Sequence, residues 1–158
     1  MGDATRAMFE GAVAGAAATA LMSAPMLVAG RAGAMGTQPP ERVVEEALGR
    51  AGHDDASEEE QNLMATLAHL GMGSGAGALF ALAHRRLDLP VPTAAQGVAF
   101  GLAVWATSYK GWMPALGILP PAEHDRPGRR RTMVATHVLF GGALGVIEHR
   151  MVRRRHGR

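Results

Sequence analysis

The charged residues of this chain lie in blocks, and the segments between the blocks contain none. Asp, Glu, Lys and Arg are absent from residues 11–30, 61–84, 89–109 and 132–147. A helix needs about 20 mostly apolar residues to cross the hydrocarbon core of a bilayer. The first three segments reach that length, and the 16-residue fourth reaches it if the flanking arginines extend toward the headgroups. Because soluble bundle helices carry a charged face, we predict an all-α integral membrane four-helix bundle.

Helix start and stop signals set the boundaries within this single transmembrane domain, residues 1–158. Spanning helices are predicted at about 8–30, 58–86, 93–117 and 129–152. Ser57 and Glu60 form a capping-box pattern, which starts the second spanning helix at Glu58. Pro25 predicts a kink in the first spanning helix.

A short helix is predicted between the first two spanning helices, at about 39–51. Pro39 and Pro40 suit its first turn, and its apolar and charged residues fall on opposite sides. It contains few basic residues, so it is typical of a helix packed on the end of the bundle rather than one lying on a membrane surface. A signal peptide is the alternative interpretation of the first apolar run, although 20 residues is long for one.

Composition excludes several classes of protein. The chain has no Cys, which excludes a disulfide scaffold, a Cys-ligated metal centre and a cysteine nucleophile. The basic C-terminal tail lacks aromatic side chains, so we expect no nucleic-acid partner. No phosphate-binding glycine loop, nucleophile elbow or zinc-protease motif is present. We therefore expect no enzyme activity, no catalytic residue and no dedicated cofactor.

A repeated pattern suggests that the chain is a duplicated helical hairpin. The second and fourth spanning helices both fit H-x3-G-x3-G-x7-R-R, starting at His69 and at His137. The first and third share a G-x3-G pattern, which aligns Gly11 with Gly97. Two copies entering the membrane from the same side would be a parallel repeat. Chance similarity between helices rich in Gly and Ala is the alternative, because small-xxx-small spacing is common there.

Paired glycines give every spanning helix a face for close contact. Residues four apart lie on the same face of a helix, and small residues let helix backbones approach closely in lipid. Such faces favour a compact bundle and further self-association, so the expected partners are the lipid bilayer and either further copies or a larger membrane complex. The predicted helix-packing residues are Gly11, Gly15, Gly73, Gly77, Gly97, Gly101, Gly141 and Gly145.

Basic residues favour both termini in the cytoplasm. Arg129 to Arg131 oppose this orientation from the other side. The side that carries the termini and the second loop has eight arginines: Arg6, Arg85, Arg86, Arg150, Arg153, Arg154, Arg155 and Arg158. The opposite side has seven: Arg31, Arg42, Arg50, Arg126, Arg129, Arg130 and Arg131.

This topology places several polar side chains at one depth. Ser23, His69 and His137 each lie roughly 9–12 Å from the outer boundary at 1.5 Å per residue. Tyr109 and Lys110 lie near the same level. An ionisable side chain inside a membrane is a functional-site hypothesis by default.

Three interpretations of the two histidines stay open. Each imidazole could simply bond a neighbouring carbonyl or hydroxyl, with Thr66 and Thr136 as partners. Alternatively, His69 and His137 could hold a metal or supply axial ligands to haem, or could form a proton or substrate path.

Two groups of residues near the helix ends also have a purely structural interpretation. Trp105, Tyr109 and Trp112 share a helix face and are typical of an interfacial aromatic belt. Glu148 is expected to be solvated at the cytoplasmic end of the fourth spanning helix.

The histidine–glycine segments also resemble a known family. Ala68-His69-x3-Gly73-x3-Gly77 and Thr136-His137-x3-Gly141-x3-Gly145, with Trp112-Met113-Pro114-Ala115-Leu116-Gly117 and Leu119-Pro120-Pro121 between them, resemble the YagU-type family of small bacterial inner-membrane proteins. The similarity covers most of the chain, from the first spanning helix to the fourth. It implies a polytopic membrane protein and no catalytic residues.

The sequence thus leaves three functions open. The first is a non-enzymatic membrane protein acting by helix association, as an accessory subunit or a stress-related membrane component. The second is a redox or metal protein that uses His69 and His137. The third is a small transporter or proton-path protein that uses these histidines with Tyr109 and Lys110.

Overall fold

Most of each uncharged segment lies within a long helical element. The computed structural model describes residues 2–53, 55–87 and 89–156, which leaves Arg158 outside the described part, and within them the fold is all-α. The α-helices are α1 (Asp3–Arg31), α2 (Pro39–Ala51), α3 (Glu58–Leu87), α4 (Thr93–Trp105), α5 (Met113–Ala115) and α6 (Pro127–His156), with a π-helical segment (Ala106–Trp112) joining α4 to α5.

Local signals explain where the helices begin. The Ser57 backbone N–H donates to Glu60 Oε2 at 2.9 Å, and the Glu60 N–H donates to Ser57 Oγ at 3.3 Å, so the capping box at the start of α3 is confirmed. At α2 the Gln38 N–H donates to Glu41 Oε2 at 2.7 Å, and Gly52 ends the helix in the left-handed conformation (φ 74°). Helix α1 continues through Pro25.

The third long element differs from the uniform helix predicted over 93–117. It becomes π-helical at Ala106 and ends at Ala115, before Gly117 (φ 76°). Ser108 Oγ donates to the Val104 carbonyl at 2.7 Å, and the Thr107 hydroxyl donates to the Ala103 carbonyl. Two adjacent hydroxyls that bond carbonyls of the preceding turn compete with the regular backbone ladder, and π-helical turns are frequent at functional sites.

The long helices pack as two tight pairs, α1 with α3 and α4 with α6, and α1 also packs against α6. At all eight glycines of the predicted packing set, an added Cβ would lie under 3.0 Å from an atom of the partner helix. Gly15 faces the Gly73 carbonyl, and Gly97 faces the Gly141 carbonyl. The backbones therefore approach too closely for any side chain at these contacts.

The contacts differ by one helical turn from the alignment of the first and third spanning helices. Gly97 meets Gly141 in the same way that Gly15 meets Gly73. Gly11 lies opposite Gly77 of α3, whereas Thr93 lies opposite Gly145, the corresponding glycine of α6. The alignment of Gly11 with Gly97 is therefore wrong by four residues in these contacts. A repeated G-x3-G pattern leaves such a shift undetermined, because both registers place glycines on the same face.

Candidate functional site

A partly open cavity of about 100 Å³ lies between α1, α3, the π-helical segment and α6, and one of its lining residues, Met72, is exposed. His69 enters its wall from α3 and His137 from α6, while Ser108 and Tyr109 enter from the π-helical segment. Helix α2 covers one side through Pro39, Pro40 and Val43. Three of the predicted polar residues, His69, His137 and Tyr109, thus lie around one cavity.

His137 is held in one tautomer. Its Nδ1 lies 2.8 Å from the Met133 carbonyl oxygen. A carbonyl only accepts hydrogen bonds, so Nδ1 carries the proton and Nε2 keeps its lone pair. Thr136 and Thr66, the predicted hydroxyl partners, instead donate to the carbonyls of Met133 (3.2 Å) and Asn62 (2.8 Å).

His69 lies between the cavity and a surface groove formed by α1, α2 and α3. Ser23 lines this groove, not the cavity, and its hydroxyl donates to the Thr19 carbonyl at 2.9 Å. Lys110 lies exposed on the π-helical segment and does not line the cavity. The groove gives His69 a route to the outside, whereas Ser23 and Lys110 do not join the histidines.

A buried charge cluster lies beside the cavity at the α2 end. The Tyr109 hydroxyl donates to Asp125 Oδ2, and Arg129 Nη1 donates to Asp125 Oδ1 at 3.1 Å. Arg129 also donates to the carbonyls of Met35 (2.7 Å) and Thr37 (3.3 Å), which ties the α1–α2 loop to the start of α6. Tyr109 is buried, so the expectation that it belongs to an interfacial aromatic belt is wrong. One feature of the sequence indicates that Asp125 belongs to a charge cluster, namely its spacing of four residues from Arg129, which suits an ion pair.

A second buried cluster joins three helices at the opposite end. Arg85 Nε donates to Glu148 Oε1 at 2.7 Å, and Arg85 Nη2 donates to Glu10 Oε2 at 2.7 Å. The Glu148 side chain is 0% exposed, so its expected position at a solvated boundary is wrong. The reason is long-range: Arg85 from α3 supplies the counter-charge that lets this carboxylate enter the core.

The cavity is chemically neutral and rich in sulfur. None of the described residues that line it is charged. Nor do the described residues include a group of three His, Cys, Asp or Glu suited to a metal ion. Typical cofactor and drug sites occupy about 300–1,000 Å³, so a cavity of about 100 Å³ leaves too little space for haem. Five methionines line it: Met22, Met26, Met72, Met113 and Met133.

Comparison with known proteins finds one match. A family model described as "Family of unknown function (DUF6789)" matches residues 5–157, which is nearly the whole chain. No curated protein and no solved structure matches the sequence.

Proposed function

The chain belongs to the DUF6789 family of unknown function, and we propose that it is a multi-pass protein of the bacterial inner membrane that acts by helix association. In this proposal it is an accessory subunit or a stress-related membrane component rather than an enzyme. The resemblance to the YagU-type family stays a prediction. The bacterial inner membrane and the stress-related role rest on that resemblance, whereas the membrane spans and the helix association do not.

An exposed apolar belt carries the proposal. Large apolar side chains point outward along α1 and α3, with Phe9 65%, Val28 67% and Leu79 64% exposed. Soluble monomers rarely expose continuous apolar surface of this kind. By length and composition, α1 and α3 are suited to cross a membrane. Lipid tails around these two helices would cover the belt.

Two further features support spans in the other helix pair. The continuous helical element made of α4, the π-helical segment and α5 has one charged residue, Lys110. Helix α6 has an uncharged stretch of 16 residues. Helix α4 packs against α6, and α6 also packs against α1 of the proposed spanning pair. Four spans joined as two hairpins would place both termini on the side of Arg85, with α2 on the other side.

A small-residue face on α3 supports association. Gly71 and Gly75 differ from the eight packing glycines because an added Cβ at either would meet nothing within 4 Å. They lie in line with the exposed side chains of Leu63, Leu67 and Leu79, at a spacing of four. In lipid, such a face allows close approach of another helix.

The absence of cysteine allows one set of single-cysteine variants to test topology and association together. A membrane-impermeant maleimide should label Gly33→Cys from outside intact cells and Arg154→Cys only from the cytoplasmic side of inverted vesicles. Val13→Cys, on the apolar belt, should resist labelling from both sides. Labelling of Val13→Cys from water, or labelling of both ends from one side, would contradict the proposed spans.

The same variants report association. Thiol oxidation should convert Gly75→Cys into a disulfide-linked dimer, or crosslink it to a second membrane polypeptide. Ala17→Cys, exposed on the outer face of α1, is the matched control and should stay monomeric. Equal crosslinking of both variants, or of neither, would contradict association through the α3 face.

The two alternative functions receive unequal support. The cavity is too small for haem, so the haem form of the redox or metal alternative has no supporting observation, whereas a metal ion held by His69 and His137 would fit its size. The transporter interpretation is favoured only by the shared position of His69, His137 and Tyr109, and Lys110 lies outside that group.

A further inference from the structure

The methionines of this chain concentrate around the two histidines. Five of the ten methionines in the sequence line the cavity, and four of these five are buried. They come from α1 (Met22 and Met26), α3 (Met72), α5 (Met113) and α6 (Met133), so separate parts of the chain supply the thioethers. Methionine alone is ordinary core packing, because its flexible side chain fills irregular gaps.

The imidazoles distinguish this cavity from ordinary packing. His137 donates its Nδ1 proton to the Met133 carbonyl at 2.8 Å. This leaves the lone pair of Nε2 available to bind a metal ion. Histidines that bind metal almost always make this hydrogen bond through the other ring nitrogen. His69 makes no hydrogen bond to any described residue and reaches the same cavity. His137 Nε2 and the His69 imidazole are therefore available for a ligand, and both residues line the cavity that the five methionines also line.

Charge and size select the class of ligand. Hard cations such as Mg²⁺ and Ca²⁺ require several oxygen ligands, and carboxylates are absent from the described lining. A divalent ion held by neutral ligands would bring two uncompensated charges into an apolar interior. Thioether ligands select Cu(I), which carries a single charge, and imidazole also suits copper. A cavity of about 100 Å³ is suited to one ion rather than to an organic cofactor.

We propose that this cavity binds one monovalent soft metal ion, Cu(I), through His69, His137 and one or two of the thioethers of Met22, Met26 and Met133. The surface groove that reaches His69 provides the access route from the side of α2. The site does not depend on the proposed association, since all of its donor atoms belong to one chain.

A competition assay tests the proposal. The full chain, purified in detergent, is mixed anaerobically with Cu(I) held in a coloured bicinchoninate complex. We expect the chain to remove one equivalent of Cu(I) from the coloured complex. We expect that added Zn²⁺ does not displace the Cu(I) bound to the chain. If the coloured complex stays unchanged, or if Zn²⁺ competes equally with Cu(I), the proposal is wrong.

Methionine-to-leucine variants identify the ligands. Leucine conserves volume and apolar character, so such exchanges usually change stability by less than about 1.5 kcal/mol. The triple variant Met22→Leu, Met26→Leu and Met133→Leu should bind Cu(I) at least tenfold more weakly. The control Met8→Leu with Met64→Leu changes two exposed methionines outside the cavity and should bind like the wild type. Wild-type affinity in the triple variant would overturn the assignment.

X-ray absorption at the copper edge provides a measurement that does not require a variant to fold. The Cu(I)-loaded wild type should show sulfur neighbours together with nitrogen neighbours. A spectrum with only nitrogen and oxygen neighbours would overturn the thioether site, whatever the triple variant does. Loss of dimer crosslinking in the Gly75→Cys test, with copper binding intact, would affect only the proposed association.

Discussion

Replacement of Arg85 by Met is the sharpest test of how the helices are held together. The Arg85 guanidinium bonds carboxylates of α1 and α6, with Glu10 and Glu148 both at 2.7 Å. Methionine keeps an unbranched side chain in the same space and removes the positive charge. Glu148 then loses its counter-charge, whereas Glu10 keeps an ion pair with Arg6 at 3.0 Å.

The magnitude follows from burial. Glu148 is 0% exposed, while the side chains of Arg85 and Glu10 are 19% and 18% exposed. Removal of one partner of a buried ion pair costs about 3–5 kcal/mol, because the other charge remains buried and unpaired. Partial solvent access at Arg85 and Glu10 screens their interaction, so we expect Arg85→Met to lower the free energy of unfolding by about 3 kcal/mol.

The neighbouring residue supplies a matched control. Arg86 is exposed, and Arg86→Met makes the same change in charge one position along the helix. Exposed substitutions usually change stability by less than about 0.5 kcal/mol. Unfolding would be followed by circular dichroism in mixed micelles as the mole fraction of dodecyl sulfate rises.

A second-site change then separates loss of charge pairing from loss of packing. Glu148→Gln in the Arg85→Met background removes the stranded buried charge, so it should recover much of the lost stability. If Arg85→Met matches Arg86→Met, or if Glu148→Gln further destabilises the Arg85→Met variant, the charge argument is refuted.

Two further predictions use the same unfolding measurement. Gly15→Ala should destabilise the protein by about 1–3 kcal/mol, because its Cβ would meet the Gly73 backbone. Gly71→Ala meets nothing within 4 Å and should be neutral or stabilising, so equal effects of the two changes would contradict the packing described. Tyr109→Phe should lower the free energy of unfolding by about 1.5–3 kcal/mol, since it removes a buried hydrogen bond to the Asp125 carboxylate. An unchanged midpoint of the unfolding transition would show that this hydrogen bond does not contribute to the free energy of unfolding.

Features set by local sequence are predictable from one chain. The short helix is present over Pro39–Ala51, as predicted, because the proline pair and Gly52 mark its two ends. The capping box at Ser57 likewise starts α3 at Glu58. Glycine spacing also identifies which faces meet, since residues four apart point the same way.

Features that depend on distant residues are not predictable in this way. Arg85 meets Glu10 and Glu148 across 75 and 63 positions, and nothing in the local pattern of Glu148 distinguishes it from a solvated residue. The change to π-helix at Ala106 also escapes a periodicity argument. Because π-helical hydrogen bonds span five residues rather than four, the seven-residue segment rotates the residues after Ala106 relative to a regular α-helix, and Tyr109 lies among them.

The two buried charge clusters explain how a neutral cavity persists between them. Arg85 fixes α1, α3 and α6 at one end, and Arg129 ties the α1–α2 loop to α6 at the other. Tyr109 belongs to both regions, because its side chain lines the cavity while its hydroxyl bonds Asp125. With both ends held by ion pairs, adjustment to a bound ion falls to the methionine side chains, which can change rotamer without moving a helix. The same arrangement keeps fixed charges away from the histidines, so the donor set presented to a ligand stays neutral.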